Sequence, residues 1–175
     1  MRQIKLVNGT IACYREDEGS FAFIPNGDHV VFDGSIPWVE VSEPVVRLSD
    51  NSLAFKSDPR VFADVKTQKK AEIAAARYEA EIAGVTVNGV TIDTGRDSQA
   101  LITGAALAAV IDENYSLNWK TSAGFIHLTA PEIIAVAQAV RAHVQACFDR
   151  EGELVALVDA AQTVEELDAI DISFE

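Results

Sequence analysis

Cysteine is scarce in this chain: among 175 residues only Cys13 and Cys147 carry a thiol. They lie in segments of different character, so the expectation is two reduced, buried thiols rather than a disulfide framework. Long apolar runs are lacking as well. No segment approaches the roughly 18 uninterrupted apolar residues of a membrane span. The opening MRQIKLVNG has no apolar stretch of the length a signal peptide requires. Basic residues thin out along the chain. Residues 1–77 hold 10 Lys+Arg against 11 Asp+Glu, net −1, whereas residues 78–175 hold 4 against 16, net −12. Nucleic-acid affinity depends on basic groups displacing counterions from phosphates, so nucleic acid is not an expected partner, and neither is a membrane. The acidity itself reads as a solubility feature before it reads as a surface for a basic partner.

The residue sets that carry chemistry are also missing. The Gly89–Gly95 stretch contains no G-x-G-x-x-G and no G-K-[ST], so it offers no phosphate cradle. His143, Cys147 and Glu151 follow one another at four-residue intervals, which is metal-ligand spacing on a helix. A structural zinc site needs four ligands, however, and no C-x-x-C or H-x-x-x-H accompanies them. Cys147 fits an apolar stripe equally well, where a buried thiol acts as a small hydrophobe. His127 alternates with Ile126 and Leu128 as a half-exposed strand histidine does, with no nucleophile beside it in sequence. Asp93, Thr94, Asp97 and Ser98 are the residue types of turns and helix caps. No catalytic, cofactor-binding or metal-binding residue is assigned, and the chain is not expected to be an enzyme.

What is present suits a folded α+β protein. The hydrophobic fraction of 49% and charged fraction of 23% allow a buried core. Ile4 to Tyr14 reads as a hairpin about Asn8-Gly9, followed by short strands at Phe21–Ile24, His29–Phe32 and Trp38–Val41. This predicts a small antiparallel β region over residues 1–57, with SDNSLAFKSDPR (49–60) as a linker. Asp58 before Pro59 starts a connector helix within 58–83, where Arg77 and Glu81 sit at i,i+4 in the manner of a solvated helix, and Gly84 stops it. Residues 84–175 are expected to form a domain of two hairpins packed with a short and a long helix. The first hairpin turns at Asn88-Gly89. The short helix, Leu101–Ile111, is capped by Asp97 or Ser98, and its Gly104, Ala105 and Ala108 allow another element close to its backbone. The second hairpin turns at Ser122-Ala123-Gly124. Thr129-Ala130-Pro131-Glu132 is a capping box for the long helix. There Ile133, Ala137, Val140, Val144, Cys147, Leu154, Val158 and Ala161 keep a 4-3 repeat, with Glu151 the single polar position and Gly152 a place for a bend. Small residues in the repeat favour a domain core over a coiled coil. Thr163 and Glu166 repeat the capping box for a last short helix.

Three strings carry a resemblance: TVNGVTIDTGRDSQALITGAA, NWKTSAGFIHLT and AVAQAVRAHVQACFDRE. Over Ala71 to Ile172 the chain resembles a domain of unknown function found at the C-terminal end of many tailed-bacteriophage proteins encoded beside tail-fibre genes, often labelled tail-fibre assembly proteins. The matching positions are Asn88-Gly89, Asp93, Arg96-Asp97-Ser98, Ala105, Trp119-Lys120, Gly124, Leu128-Thr129, Ala139-Val140 and His143-Val144-Gln145. The resemblance implies a partner-specific N-terminal region on a shared C-terminal domain, and no catalytic residue. It implies contact with a trimeric phage tail-fibre protein, with two readings: an assembly factor of the host cytoplasm, or a component of the mature virion tail, on the fibre or baseplate, that could bind a receptor. Homo-oligomer formation stays open. Trp38, Trp119, Lys120 and Phe125 are the candidate partner contacts, since aromatics concentrate binding energy; a packing role for Trp119 is compatible with this.

Overall fold

A computed structural model describes residues 2–16 and 36–174. The chain divides into two units, residues 1–69 with 161–168, and residues 70–160 with 169–175. The fold is α+β, with antiparallel pairing throughout the described strands.

In the first unit, β1 (Arg2–Val7) and β2 (Thr10–Glu16) form the hairpin that Asn8-Gly9 dictates. Both turn residues have positive φ, +51° and +78°, as a type I′ turn requires. Lys5 faces Cys13 but Leu6 faces Ile11, so Ala12 is the extra residue of a bulge. Then β3 (Val39–Val41) pairs with the other edge of β1. The strands expected at Phe21–Ile24 and His29–Phe32 lie outside the described residues, as does His29. Residues 49–60 are not a linker throughout. Here β4 (Val45–Arg47) and β5 (Leu53–Phe55) form a further hairpin whose loop places Asn51 at φ +67°. Leu53 and Ala54 are buried, and Leu53 joins Ile4, Ile11 and Val45 in one apolar cluster. Three apolar residues in a polar run are too few for alternation to announce a strand. The short helix α4 (Val164–Asp168) belongs to this unit; its Glu166 amide donates to Thr163 Oγ1 at 3.2 Å, the expected cap.

The cut between the units falls inside α1 (Pro59–Ile82). Asp58 caps it by accepting the Arg60 amide at 2.8 Å. In the second unit β6 (Val85–Val87) and β7 (Val90–Ile92) turn at Asn88-Gly89, again with both φ positive. Next, α2 (Arg96–Ile111) starts a turn earlier than the sequence suggested. Neither Asp97 nor Ser98 caps it; Gly95 is the cap residue. Asp93 holds the turn from outside, accepting the Gly95 amide at 2.9 Å and the Ser98 hydroxyl at 2.6 Å. Those two donors keep the Asp93 carboxyl below the ordinary aspartate range, the Ser98 bond most of all.

The second hairpin, β8 (Ser116–Thr121) with β9 (Gly124–Thr129), closes on Ser122-Ala123, with Gly124 at φ +125°. It leads straight into α3 (Ala130–Ala160). At that junction the Glu132 carboxylate reaches back to accept the Thr129 amide at 2.8 Å and the Thr129 hydroxyl at 2.6 Å, so glutamate does the capping. The 31-residue α3 is continuous through Gly152, without the bend that glycine offered. Its stripe faces inward: Ile133, Val140, Val144, Leu154 and Val158 are buried, each worth about 2 kcal/mol on apolar transfer. Ile133, Val136 and Val140 meet Ile92, Ile102, Ala109 and Leu128 in the main core of the unit. Domain core, not coiled coil, is therefore the role of this part of the repeat.

Candidate functional site

Thr94 and His143, residue types that often carry chemistry, close the end of α1. The last carbonyls of a helix lack partners within it and must find them elsewhere. Thr94, fully buried, donates its hydroxyl to the Glu81 carbonyl and accepts the Gly84 amide at 2.9 Å. His143 Nε2 lies 3.0 Å from the Ala80 carbonyl, an arrangement in which that nitrogen carries the proton. Gly84 has φ +94°, and a Cβ there would come within 3.1 Å of the Ile92 carbonyl oxygen. Only glycine fits that position.

Beside this cap lies a charged cluster. Arg77 pairs with Glu81 and, at 3.0 Å, with Glu151, and its guanidinium sits 4.5 Å from the Phe148 ring centre. Glu81 is buried and Arg77 largely covered, rather than solvated as expected from the i,i+4 spacing. Glu81 also accepts from Gln99 Nε2 at 3.1 Å, so a carboxylate left without water has several donors. Glu151, the polar position of the α3 stripe, is thus explained. His143, Cys147 and Glu151 share a helix but form no common ligand set. His143 caps α1, Cys147 is buried and Glu151 pairs with Arg77. Burial, and then the nearby Glu81 charge, push the Cys147 thiol above its usual pKa. Both cysteines are free.

The open surface of the unit has another character. From Gln99 to Ile111 there is no charged residue. Ile102, Ala105 and Ala109 face the core, yet Leu101, Leu107, Val110 and Ile111 are 66%, 62%, 70% and 79% exposed. The close approach that Gly104 would permit is not made among the described residues, since a Cβ there would meet nothing of them within 4 Å. Trp119 and Lys120 line a groove of about 590 Å³ with Leu101, Gly104 and Tyr115. Trp119 is half-buried and also packs on the main core, so the ring serves both surfaces. Phe125 stands opposite Lys120 in the hairpin register and is 73% exposed. Three of the four candidate contacts therefore gather on one hairpin. Trp38 belongs to the first unit, where Arg15 lies 4.3 Å and Lys5 5.1 Å from its ring. The exposed face of α2 is what sequence reasoning did not find. The available signal was the uncharged stretch 99–111, which reads as a buried helix unless the face is seen to lack a cover.

Among known proteins, no curated sequence matches the chain and no solved structure does. A family model matches residues 64–173, which spans α1 from its second turn, both hairpins, α2, α3 and α4. The match covers more than half of the chain, which therefore belongs to the family known as Domain of unknown function (DUF4376).

Proposed function

We propose that this protein is a bacteriophage tail-fibre assembly factor, acting by contact with a tail-fibre protein and not by catalysis. The setting comes from the resemblance of the strings around Asn88-Gly89, Trp119-Lys120 and His143 to tail-fibre-associated domains. The observation that carries the contact is the β8–β9 hairpin. Trp119 and Lys120 both line its groove, and Phe125, opposite Lys120 and on the other face of the pleat from Trp119, stands exposed. A half-buried tryptophan held rigidly by a core loses little entropy on binding, which is the usual profile of an interface anchor. Among the described residues β8 and β9 pair only with each other, so main-chain groups remain on their outer edges for an added strand. A fibre chain awaiting its two partners exposes both apolar surface and strand edges, and this surface offers a match for each. Such an assembly factor works in the host cytoplasm.

The test is co-expression with the neighbouring fibre gene, followed by affinity recovery and a count of fibre trimers. The expected result is a recovered complex that Phe125→Ser with Lys120→Ala weakens by about tenfold or more. Fibres that form infectious trimers when the gene is deleted, with no complex recovered, would overturn the reading. Mass spectrometry of purified particles separates the two roles: absence from the particle supports the assembly factor, and stoichiometric presence makes the chain a component of the mature tail.

A further inference from the structure

We infer that the second unit pairs with a second copy of this chain through the exposed ridge of α2 and the groove between α2 and α3. Leu107, Val110 and Ile111 form the ridge. Directly beside it runs a groove of about 740 Å³, lined by Leu107 and Val110 on one wall and by Ile134, Ala137 and Arg141 on the other. A two-fold contact needs one surface that is complementary to itself. Here ridge and groove lie side by side with the same apolar chemistry, so the ridge of each copy can enter the groove of the other.

Charge selects this occupant. The second unit, residues 70–160 with 169–175, carries 6 Lys+Arg against 14 Asp+Glu, net −8, and two such bodies repel one another wherever carboxylates face carboxylates. The outer face of α2 is free of that obstacle, because Gln99 to Ile111 contains no charge. The cation on the groove wall, Arg141, makes no ion pair among the described residues. The ridge ends at Ile111 and is followed at once by Asp112 and Glu113. Seating the ridge of one copy in the groove of the other carries Glu113 towards Arg141, once in each direction. Area points the same way. Leu107, Val110 and Ile111 together expose on the order of 400 Å², within the range of the biggest apolar patches on ordinary monomers. That is about half of the roughly 800 Å² that each partner gives to a standard interface.

The experiment is sedimentation of the purified chain over a concentration series, with no fibre protein present. The expected species has twice the 18.9 kDa chain mass. Val110→Glu, at an exposed position, is expected to give a monomer with unchanged circular dichroism, whereas Leu157→Glu, at an exposed leucine on α3 away from the groove, leaves the dimer intact. Arg141→Glu should weaken the dimer about tenfold, and Arg141→Glu combined with Glu113→Arg should restore it. A wild-type monomer throughout the series, or a dimer indifferent to Val110→Glu, overturns the proposal. So does a monomer whose Val110 is needed for fibre recovery, which would assign the groove to the fibre. Because the fibre is absent from the main measurement, failure here leaves the Trp119 contact standing.

Discussion

Where α1 ends, the polar groups are paired with one another; along the outer face of α2, hardly a polar group is present. The first region brings Arg77, Glu81, Gln99, Thr94, His143 and Glu151 together from three helices and a turn, and most of their hydrogen bonds run between elements. The second offers Leu101, Leu107, Val110 and Ile111 to solvent without a single charge among them. Buried polar groups are expensive unless satisfied, so the first region fixes one arrangement and tolerates little change. Exposed apolar groups cost the isolated fold almost nothing to replace. The two regions thus separate what holds the fold from the surface on which the proposed pairing of two copies is built.

The comparison breaks most sharply at Glu81. Glu81→Ala leaves the half-buried Arg77 with Glu151 as its one carboxylate, and the expected loss is about 2–3 kcal/mol in urea denaturation. A loss under about 0.5 kcal/mol, the range of ordinary surface substitutions, would mean the cluster is ornamental. Gly84→Ala combines positive φ with a Cβ at 3.1 Å from a backbone oxygen, and should cost about 2 kcal/mol by the same measurement. Thr94→Val keeps the shape but leaves the Gly84 amide and Glu81 carbonyl unanswered; about 1.5 kcal/mol is expected. On the β8–β9 hairpin, exposed like the α2 face, Phe125→Ser should move stability by no more than about 0.5 kcal/mol while weakening fibre recovery. Equal damage to stability at Phe125 and Thr94 would erase the distinction.

The smallest effect is one of pH. Asp93 has its folded-state pKa depressed, chiefly by the Ser98 hydroxyl and then by the Gly95 amide. A depressed carboxylate contributes stability that is present above its unfolded pKa of about 3.9 and is lost as pH falls through the lower folded value. The wild type should therefore lose more stability than Asp93→Asn on acidification below about pH 4, and the two should run parallel above about pH 5. Denaturant midpoints across that range check it.

Much of the framework could be read from the residues because it rests on local rules. Asn8-Gly9 and Asn88-Gly89 each place two residues at positive φ, which few other pairs accept, so both hairpins were legible with their turns. Pro59 after Asp58 and Glu132 after Thr129 fixed two helix starts. Other features depend on what comes from far away. Arg77 and Glu81 have the same spacing whether they face water or Glu151, 74 residues on, so their burial could not be seen. The start of α2 was misplaced because Asp97 and Ser98, residue types that favour caps, sit inside its first turn, while Gly95 takes the cap position. Trp119 and Lys120 are adjacent, and Phe125 follows from the turn, so the hairpin part of the site was within reach. Its other wall, Leu101, Gly104 and Tyr115, needed the packing of α2.

The order of pairing in the second unit has a consequence for the speed of folding. Each of its strands pairs with its immediate neighbour in sequence across a two-residue turn, so these contacts close short loops and form early. The links from Arg77 to Glu151 and from Ala80 to His143 join residues 74 and 63 positions apart, and a contact across such a loop carries a larger entropic cost. Docking of α1 onto α3 is then a late event. In kinetic terms Glu81→Ala should leave the refolding limb of the chevron almost unmoved and speed escape from the native state, so that α1 acts as a latch on unfolding and not as a nucleus.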